Sequence, residues 1–278
     1  MDPTRIGISG TPELKSFKPI AKKVLEALKG QDYVVESHTA RGLGVKGVPL
    51  ADMKVDVIIT VGGDGTILRT LQGSDKPILG VNAGILGFLT EVQPKDIKPA
   101  IKRLLSGDYN IDERLKLKTM MDGKRLEDAT NEAVLHTAHI AKMRHFEISI
   151  DGTRATEIRA DGLIIATPTG STSYAMSVGS SIIDPRVDAF VIAPIAPFRL
   201  AARPFVVPAK SRIGVTIKEP RECIMVIDGQ VEFVTKGDEK YLFTASERRA
   251  RFISFKDDFY STLEEKLIAS APISAQRH

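Results

Sequence analysis

A buried strand that runs directly into glycines constrains this chain more than any other feature. Residues 55–61 (VDVIITV) are β-branched and almost uniformly apolar, which is typical of a parallel-sheet strand covered on both faces. Residues 62–66 (GGDGT) follow at once. Glycine lets the backbone turn sharply and lets N–H groups approach an anion closely. Because ligands of open α/β sheets lie at the carboxyl ends of strands, we expect a phosphate site at Gly62 and Gly63.

Asp64 is the unexpected residue of this loop, since a carboxylate repels a phosphate. It either accepts a proton from a substrate hydroxyl or holds a divalent cation that bridges phosphates, and both roles indicate phosphoryl transfer. The alternative is a tight turn whose aspartate caps the next helix. The loop matches neither the P-loop sequence, which needs a lysine, nor the dinucleotide fingerprint G-x-G-x-x-G.

Short apolar runs alternate with amphipathic segments over the first third of the chain. Strands are predicted at 6–9, 33–35, 55–61 and 77–81, and helices at 20–28 and 95–106. This alternation predicts an α/β domain with a doubly wound parallel sheet. We assign residues 1–106 to it, and we expect 253–278, with a helix near 260–269, to pack back on it.

The pattern changes after residue 107. Period-two alternation at 146–150 meets Asp151-Gly152, and the apolar run 224–227 meets Asp228-Gly229, and both pairs are hairpin signals. No long helical pattern interrupts this region. We therefore predict that 107–252 form a β-rich, sandwich-like second domain.

Three further segments carry polar groups suited to a nucleotide. Residues 82–88 (NAGILGF) follow a predicted strand, and 167–174 (TPTGSTSY) are rich in hydroxyls that can bind phosphate or ribose. Tyr174 offers a stacking face for a base. Asn131-Glu132 places a carboxylate where it could accept both hydroxyls of a ribose diol. Each segment alone fits a surface loop equally well.

Composition narrows the function classes. The net charge of +4 over 278 residues comes without long basic clusters, which argues against a nucleic-acid partner. One cysteine allows no intramolecular disulfide, and a reducing compartment fits. No apolar leader and no 18-residue apolar window are found, so we expect a cytoplasmic protein without a membrane partner.

Taken in order, these segments resemble the NAD kinase family. The matching elements are 62–66, 82–84 with 86–89, 131–132, 161–174 and 228–230. The hydroxyl-rich segment discriminates best, because GGDG also occurs in lipid kinases and is similar to the phosphofructokinase loop. Ala83 departs from the threonine of many members.

The resemblance implies a fold and a reaction. The fold is a phosphofructokinase-like α/β domain with a β-rich second domain. The reaction transfers the terminal phosphoryl group of ATP or polyphosphate to the 2′-hydroxyl of the adenosine ribose of NAD, which gives NADP. It implies a divalent metal, Mg²⁺, whose protein ligands stay unknown, and a homo-oligomer, either a dimer or a tetramer.

The resemblance also implies residue roles. Asp64 corresponds to the general base, and Gly62 and Gly63 to the phosphate loop. The residues implied to contact NAD or the phosphoryl donor are Gly65, Arg69, Phe88, Asn131, Glu132, Lys142, Arg159, Asp161, Thr172, Ser173, Tyr174, Ala175, Met176, Ser177, Ala196 and Gln230. For Arg69, a surface ion pair is the alternative.

Two other functions remain open from the sequence. One is another GGDG-type kinase that acts on a lipid or a sugar, although a lipid kinase would usually have a membrane-facing amphipathic helix and none is found. The other is a non-catalytic NAD(P) sensor, which would have no need of Asp64.

Overall fold

The structure, a computed structural model, describes residues 3–84, 87–255 and 259–267. They fall into two compact units, Met1–Asp112 with Arg251–His278, and Glu113–Ala250. Ile85 and Leu86 of the second glycine loop lie outside the described residues, as does the end of the predicted terminal helix from residue 268 onward.

The first unit alternates strands and helices. Its elements are β1 (Arg5–Gly10), α1 (Phe17–Ala27), β2 (Asp32–Val35), α2 (Ser37–Leu43), β3 (Val57–Gly62), α3 (Asp64–Gly73), β4 (Ile78–Asn82) and α4 (Ile97–Leu105), with a short 3-10 helix at Leu50–Asp52. All four strands pair in parallel in the order β2-β1-β3-β4. The predicted α/β domain is therefore confirmed.

Helices cover both faces of this sheet. Leu79 and Val81 of β4 share a buried cluster with Phe17 of α1 and Leu104 of α4. Gly80 lies between them and so faces the other side, where a Cβ would come within 2.6 Å of Ile67 of α3. The sheet is thus buried on both faces, which explains why 57–61 are almost entirely apolar.

The strand order places a crevice at the glycine loop. β1 pairs with β2 along one edge and with β3 along its other edge. The strand order therefore reverses between β1 and β3. Gly10 ends β1 and Gly62 ends β3, and both ends point the same way. Open α/β sheets bind ligands at such a position.

The second unit is antiparallel and sheet-rich. Its elements are β5 (Asn110–Met121), β6 (Lys124–Arg125), β7 (Glu132–Thr137), β8 (Arg144–Ile150), β9 (Thr153–Ala160), β10 (Gly162–Ala166), α5 (Tyr174–Ser177), β11 (Ala189–Ile195), β12 (Phe205–Pro208), β13 (Ile213–Ile217), β14 (Cys223–Ile227), β15 (Val231–Thr235) and β16 (Tyr241–Ser254). A 3-10 helix occupies Thr169–Thr172, and α6 (Phe259–Leu267) follows β16.

Two sets of antiparallel strands share one core in this unit. Six strands run in the order β12-β11-β10-β7-β14-β15, and β13 pairs with both β8 and β16. Leu163 and Ile165 of β10 belong to the same buried cluster as Phe146 and Ile148 of β8. The alternate residue Ile164 packs instead with Ala175 of α5. Both faces of β10 are therefore buried, and this packing holds the strand in place.

The predicted hairpins are present. Asp151 and Gly152 connect β8 to β9 with φ of 53° and 84°, and Asp228 and Gly229 connect β14 to β15 with φ of 51° and 63°. Positive φ at both turn residues matches the twist of the flanking strands. In the part of the chain that the structure describes, no helix has the length and apolar character needed to cross a membrane.

Candidate functional site

The glycine loop leaves β3 and enters α3 within two residues. Gly62 packs against Thr66, since a Cβ there would lie 2.1 Å from Thr66 Oγ1. Gly63 is extended and forms the N-cap, and α3 begins at Asp64. A Cβ at Gly63 or Gly65 would meet no described atom within 4 Å. The N–H of Thr66 donates to the carbonyl of Gly63 at 3.0 Å. The N–H groups of Asp64 and Gly65 precede the regular helix bonds, so the loop can present these donors to an anion.

The second glycine loop binds the carboxylate of Asp64. Asp64 Oδ2 accepts from the N–H of Phe88 at 2.6 Å, and Oδ1 accepts from the N–H of Leu89 at 2.9 Å. Gly87 allows this approach, because a Cβ there would lie 2.0 Å from Asp64 Oδ1. Asp64 does not cap α3, because Gly63 occupies the cap position and no side-chain cap bond forms there.

The two glycine loops are neighbours in the sheet. Gly62 pairs with Asn82, and the N–H of Ala83 donates to the carbonyl of Gly62 at 3.0 Å. Asn82 Oδ1 accepts from the N–H of Gly84 at 2.9 Å, which turns the chain away from β4. The expected pair of adjacent loops is confirmed for the described residues.

Arg69 points toward the end of β1. Its Nη2 donates to the carbonyl of Gly10 at 2.9 Å and lies 3.9 Å from the carboxylate of Glu36. Burial raises the pKa of Glu36, but the bonds it accepts from His38 and Thr39 and the charge of Arg69 outweigh burial and lower it. Arg69 is one-third exposed. The anticipated ion pair is thus present, at the carboxyl edge of the sheet and near the glycine loop.

In the second unit, the Asn131-Glu132 segment packs against the hydroxyl-rich turn. Glu132 begins β7 and pairs with Ala166, the last residue of β10. The N–H of Thr167 donates to the carbonyl of Asn131 at 2.8 Å. A Cβ at Gly170 would lie 2.2 Å from that same carbonyl oxygen. Backbone contacts therefore fix the segment against the turn.

Two acceptors of this segment are buried without a hydrogen-bond partner among the described residues. They are Asn131 Oδ1 and Glu132 Oε2. Glu132 Oε1 accepts from Ser173 Oγ at 3.2 Å. Burial raises the pKa of Glu132 to about 8, the charge of Asp228 adds to the rise, and the bond from Ser173 and the backbone N–H of Tyr174 oppose it. Because native proteins rarely leave buried polar atoms unpaired, these acceptors indicate a ligand that supplies hydroxyl or N–H donors.

Residues 172–177 form the outer wall of this pocket. Ala175 is buried, whereas Tyr174 is 40% exposed and Met176 is 36% exposed. Thr172 and Ser177 donate to carbonyls of their own turns at Thr169 and Tyr174. The Tyr174 ring is therefore accessible for stacking. Gln230 lies in the turn after β14 at this same end of the sheet, and its side chain is 3.4 Å from the carbonyl of Asp228.

The remaining predicted residues lie at the opposite end of β10. Asp161 precedes β10, and its N–H donates to the carbonyl of Ile195, directly before Ala196. Ala196 has a φ of 44°, and the guanidinium of Arg159 stacks over Phe198 at 4.9 Å. Lys142 follows β7 at this end with an exposed side chain.

This opposite group also contains an unpaired acceptor, since Asp161 Oδ1 is buried without a partner among the described residues. Strands rise about 3.3 Å per residue, so Asp161 and Ala166, which are five residues apart, are separated by about 16 Å. Within one chain, the structure does not bring Asp161, Arg159, Lys142 and Ala196 together with Glu132.

No ready metal centre is found among residues 3–84, 87–255 and 259–267, since no three or more His, Cys, Asp or Glu side chains cluster as metal ligands. This donor set fits an ion that arrives with phosphates, because Mg²⁺ is usually held by one or two carboxylates together with substrate oxygens. The glycine loop carries one carboxylate, Asp64, which is within that number.

Comparison with known proteins finds a match for each of the two units. Residues 15–109 match the model of the ATP-NAD kinase N-terminal domain, and residues 130–255 match that of the ATP-NAD kinase C-terminal domain. The chain belongs to the NAD kinase family. A NAD kinase of Thermococcus kodakarensis is 45% identical over 265 residues, which cover 92% of this chain and 95% of the relative. A NAD kinase of Thermoplasma volcanium is 40% identical over 258 residues, with coverage of 92% and 95%.

Two solved structures are similar to the chain. The NAD kinase of Archaeoglobus fulgidus in complex with ATP is 30% identical, has a TM-score of 0.78 and covers 94% of this chain and 98% of its own. Yeast NADH kinase complexed with NADH has a TM-score of 0.87 at 22% identity, covers 99% and 90%, and shows the shared fold. The chain is accordingly a phosphotransferase of the NAD kinase family with an α/β N-terminal and a sheet-rich C-terminal domain.

Two buried charged residues were not singled out from the sequence for their contacts. Asp228 was marked as a hairpin residue and as part of the matching element 228–230, and its carboxylate binds the backbone of 130–132. Lys116 carried no signal, because one lysine among the alternating charges of 110–118 looks solvated, yet it is only 7% exposed.

Proposed function

We propose that this chain transfers the terminal phosphoryl group of ATP to the 2′-hydroxyl of the adenosine ribose of NAD. The observation that carries this proposal is the pair of buried, unpartnered acceptors, Asn131 Oδ1 and Glu132 Oε2. A ribose diol and an adenine amine are donors of the right kind for them. When the adenosine binds to these two acceptors, its orientation determines which ribose hydroxyl faces the phosphoryl donor.

The proposed contacts follow from this assignment. NAD or the donor contacts Gly65, Arg69, Phe88, Asn131, Glu132, Lys142, Arg159, Asp161, Thr172, Ser173, Tyr174, Ala175, Met176, Ser177, Ala196 and Gln230. Gly62 and Gly63 hold the donor phosphates through backbone N–H groups. The domains that carry these roles are 1–106 with 253–278, phosphofructokinase-like in type, and 107–252, sandwich-like in type.

Asp64 acts as the general base. The two N–H bonds from Phe88 and Leu89 use one lone pair on each oxygen and fix the plane of the carboxylate. A remaining lone pair accepts the 2′-hydroxyl proton as the phosphoryl group departs from the donor. Phosphoryl transfer passes through a loose transition state, so orienting the hydroxyl contributes more than basicity.

A divalent cation, Mg²⁺, would be held mainly by the donor phosphates, and it would neutralise the charge that spreads over the phosphate oxygens. The glycine loop contributes N–H dipoles toward the same charge. Polyphosphate presents the same terminal group as ATP, so it remains a candidate donor.

We further propose that the protein is a cytoplasmic homo-oligomer, a dimer or a tetramer. The separation of about 16 Å between Asp161 and Ala166 supports this. Glu132 and Tyr174 at one end hold the adenosine, and Asp161, Arg159 and Ala196 at the other end serve the NAD bound to a neighbouring copy.

Mixing two inactive variants tests the shared site. Asp64→Asn and Asp161→Asn proteins, each inactive alone, should regain activity when they are unfolded, mixed and refolded together, because some sites then combine two intact halves. Absence of recovery, or full activity of Asp161→Asn alone, would show that the second group does not complete a neighbour's site.

One assay tests the reaction itself. Purified protein is incubated with NAD, Mg²⁺ and ATP, and NADP is measured with an NADP-specific dehydrogenase. A 2′-deoxy analogue of NAD should bind without being phosphorylated. A parallel incubation with polyphosphate identifies the donor. Phosphorylation of a lipid or sugar with no NADP formed would favour the other GGDG-type kinases, and binding without turnover would favour a sensor.

A further inference from the structure

One buried carboxylate holds the backbone of the Asn131-Glu132 segment. Asp228 is 3% exposed and lies in the turn after β14. Its Oδ2 accepts from the N–H of Thr130 at 2.8 Å, and its Oδ1 accepts from the N–H groups of Asn131 at 2.7 Å and Glu132 at 3.2 Å. The N–H of Asp228 donates in return to the carbonyl of Glu132 at 2.9 Å. Three consecutive amides therefore converge on a single side chain.

These amides precede the regular pairing of β7. The pairing of β7 with β14 begins at Ala133 opposite Ile227, so the residues before Ala133 reach Asp228 instead of a ladder partner on β14. Residues 130–132 are all buried. Without the carboxylate, their N–H groups would be desolvated with no acceptor, which is strongly unfavourable.

A buried lysine faces the same carboxylate. Lys116 on β5 is 7% exposed. Burial lowers its pKa, while the negative charges of Asp228 and Asp128 act against that lowering. A buried cation is tolerated only near compensating charge. The charges of Asp228 and Asp128 therefore both favour the charged form of this buried lysine.

We propose that Asp228 is a positioning residue that aims the side chains of Asn131 and Glu132 at the adenosine of the substrate. This rests on the proposed function, which gives those two side chains their ligand. Asp228 acts through the backbone of its neighbours. Its effect falls on the affinity for NAD and also on turnover, because the segment it orients holds the ribose whose hydroxyl reacts, whereas ATP binding is left unchanged.

The test replaces Asp228 by asparagine. The amide keeps one acceptor oxygen but turns an NH₂ group toward a backbone N–H. Hydrogen exchange at the amides of 130–132 should become faster than in the parent protein. The KM for NAD should rise by about tenfold to a hundredfold, which corresponds to losing a charge-assisted hydrogen bond, and the KM for ATP should stay within about twofold.

Asp128→Asn is the matched control. Asp128 is also buried, also faces Lys116, and accepts from Arg125 and Ser246. The same change of charge there should alter stability but leave the exchange of 130–132 and the KM for NAD within about twofold. An equal rise in KM in the control would show a general electrostatic effect and would overturn the proposal.

Lys116→Met covers the case in which Asp228→Asn fails to fold. It keeps the Asp228 acceptor, removes a charge that acts on it and preserves most of the buried volume. A smaller rise in the KM for NAD is expected, again without change for ATP. An unchanged KM for NAD in this variant would overturn any contribution of Lys116 to this positioning.

A double substitution separates this proposal from the one it rests on. If Asp228 acts through Glu132, the effects of Asp228→Asn and Glu132→Gln on the KM for NAD should be less than additive. Unchanged amide exchange in Asp228→Asn would refute positioning by Asp228 alone. Faster exchange with an unchanged KM for NAD would instead refute the assignment of Asn131 and Glu132 to the substrate.

Discussion

The backbone N–H of Phe88 donates to the carboxylate of Asp64 at 2.6 Å, and this bond joins two loops that are 24 residues apart in sequence. The backbone N–H of Leu89 donates to the other oxygen of the same carboxylate. The orientation of the proposed base is therefore set by the fold before any substrate binds. Such preorganisation is what a reaction that depends on positioning requires.

Replacing Asp64 by asparagine should leave NAD binding in place and lower kcat by about 10² to 10⁴-fold, the usual contribution of a general acid or base. The amide cannot accept the hydroxyl proton, and its NH₂ group opposes one of the two loop amides. Steady-state kinetics with NAD and ATP measure the effect. Near-normal turnover would mean that Asp64 is not the base.

Adding a methyl group at Gly87 should impair turnover without removing any titratable group. The new Cβ would lie 2.0 Å from Asp64 Oδ1, so the carboxylate or the loop must move. We expect Gly87→Ala to lower kcat by at least about tenfold, because small misplacements of a reacting group are costly.

Gly73→Ala is the control for that variant. Its Cβ would crowd Leu50 Cδ2 at 2.6 Å, a similar overlap in the same unit but against a flexible side chain. It should change stability slightly and leave kcat unaffected. Equal losses in the two variants would mean that crowding of the unit, rather than the position of Asp64, limits turnover.

Gly170→Ala should raise the KM for NAD and destabilise the second unit. The Cβ would lie 2.2 Å from the carbonyl oxygen of Asn131, and no rotamer change relieves a clash with backbone. Overpacking of this kind costs about 1–3 kcal/mol. Denaturant unfolding and steady-state kinetics measure the two effects. Gly214→Ala, which crowds only the side chain of Ser149, should affect neither to the same degree.

Glu132 should make both stability and NAD affinity depend on pH. Burial raises its pKa from the ordinary 4.5 to about 8. Between these values the native state holds a proton that the unfolded state has released, so stability should fall as the pH rises through this range. A carboxylate that accepts two ribose hydroxyls must be ionised, so NAD affinity should improve over the same range and level off above pH 8.

Glu132→Gln should flatten both pH profiles, since the amide does not titrate. Thermal unfolding and NAD binding measured at several pH values, from about 5 to about 9, provide the comparison. A parent protein whose NAD affinity shows no pH dependence below pH 8 would contradict binding through the ionised form.

Strong periodicity made much of the fold predictable. The apolar strand at 57–62 and the helices at 17–27 and 97–105 lie within a few residues of their predicted places, because their buried faces dominate their composition. Helix α2 was not predicted. It spans only seven residues and depends on the buried side chain of Glu36, which accepts from the N–H groups of His38 and Thr39.

The long strand β5 was also missed, for a related reason. Its alternation is broken by Lys116, a charged residue that is buried. The charge of Lys116 interacts with that of Asp228, which lies more than one hundred positions later in the sequence. Local pattern cannot reveal that pairing. The candidate site shows the same limit: its residue types were recognisable, but the distance between Asp161 and Glu132 depends on strand register, which no short motif encodes.

Strand β10 is paired on both sides, with β7 and with β11, and both of its faces are packed. Deleting or inserting one residue would exchange its two buried faces and change the spacing between the groups at its ends. Insertions and deletions can therefore be tolerated in the outer loops of this unit but not within these five residues. The length of β10 thus fixes the distance between the groups at its two ends.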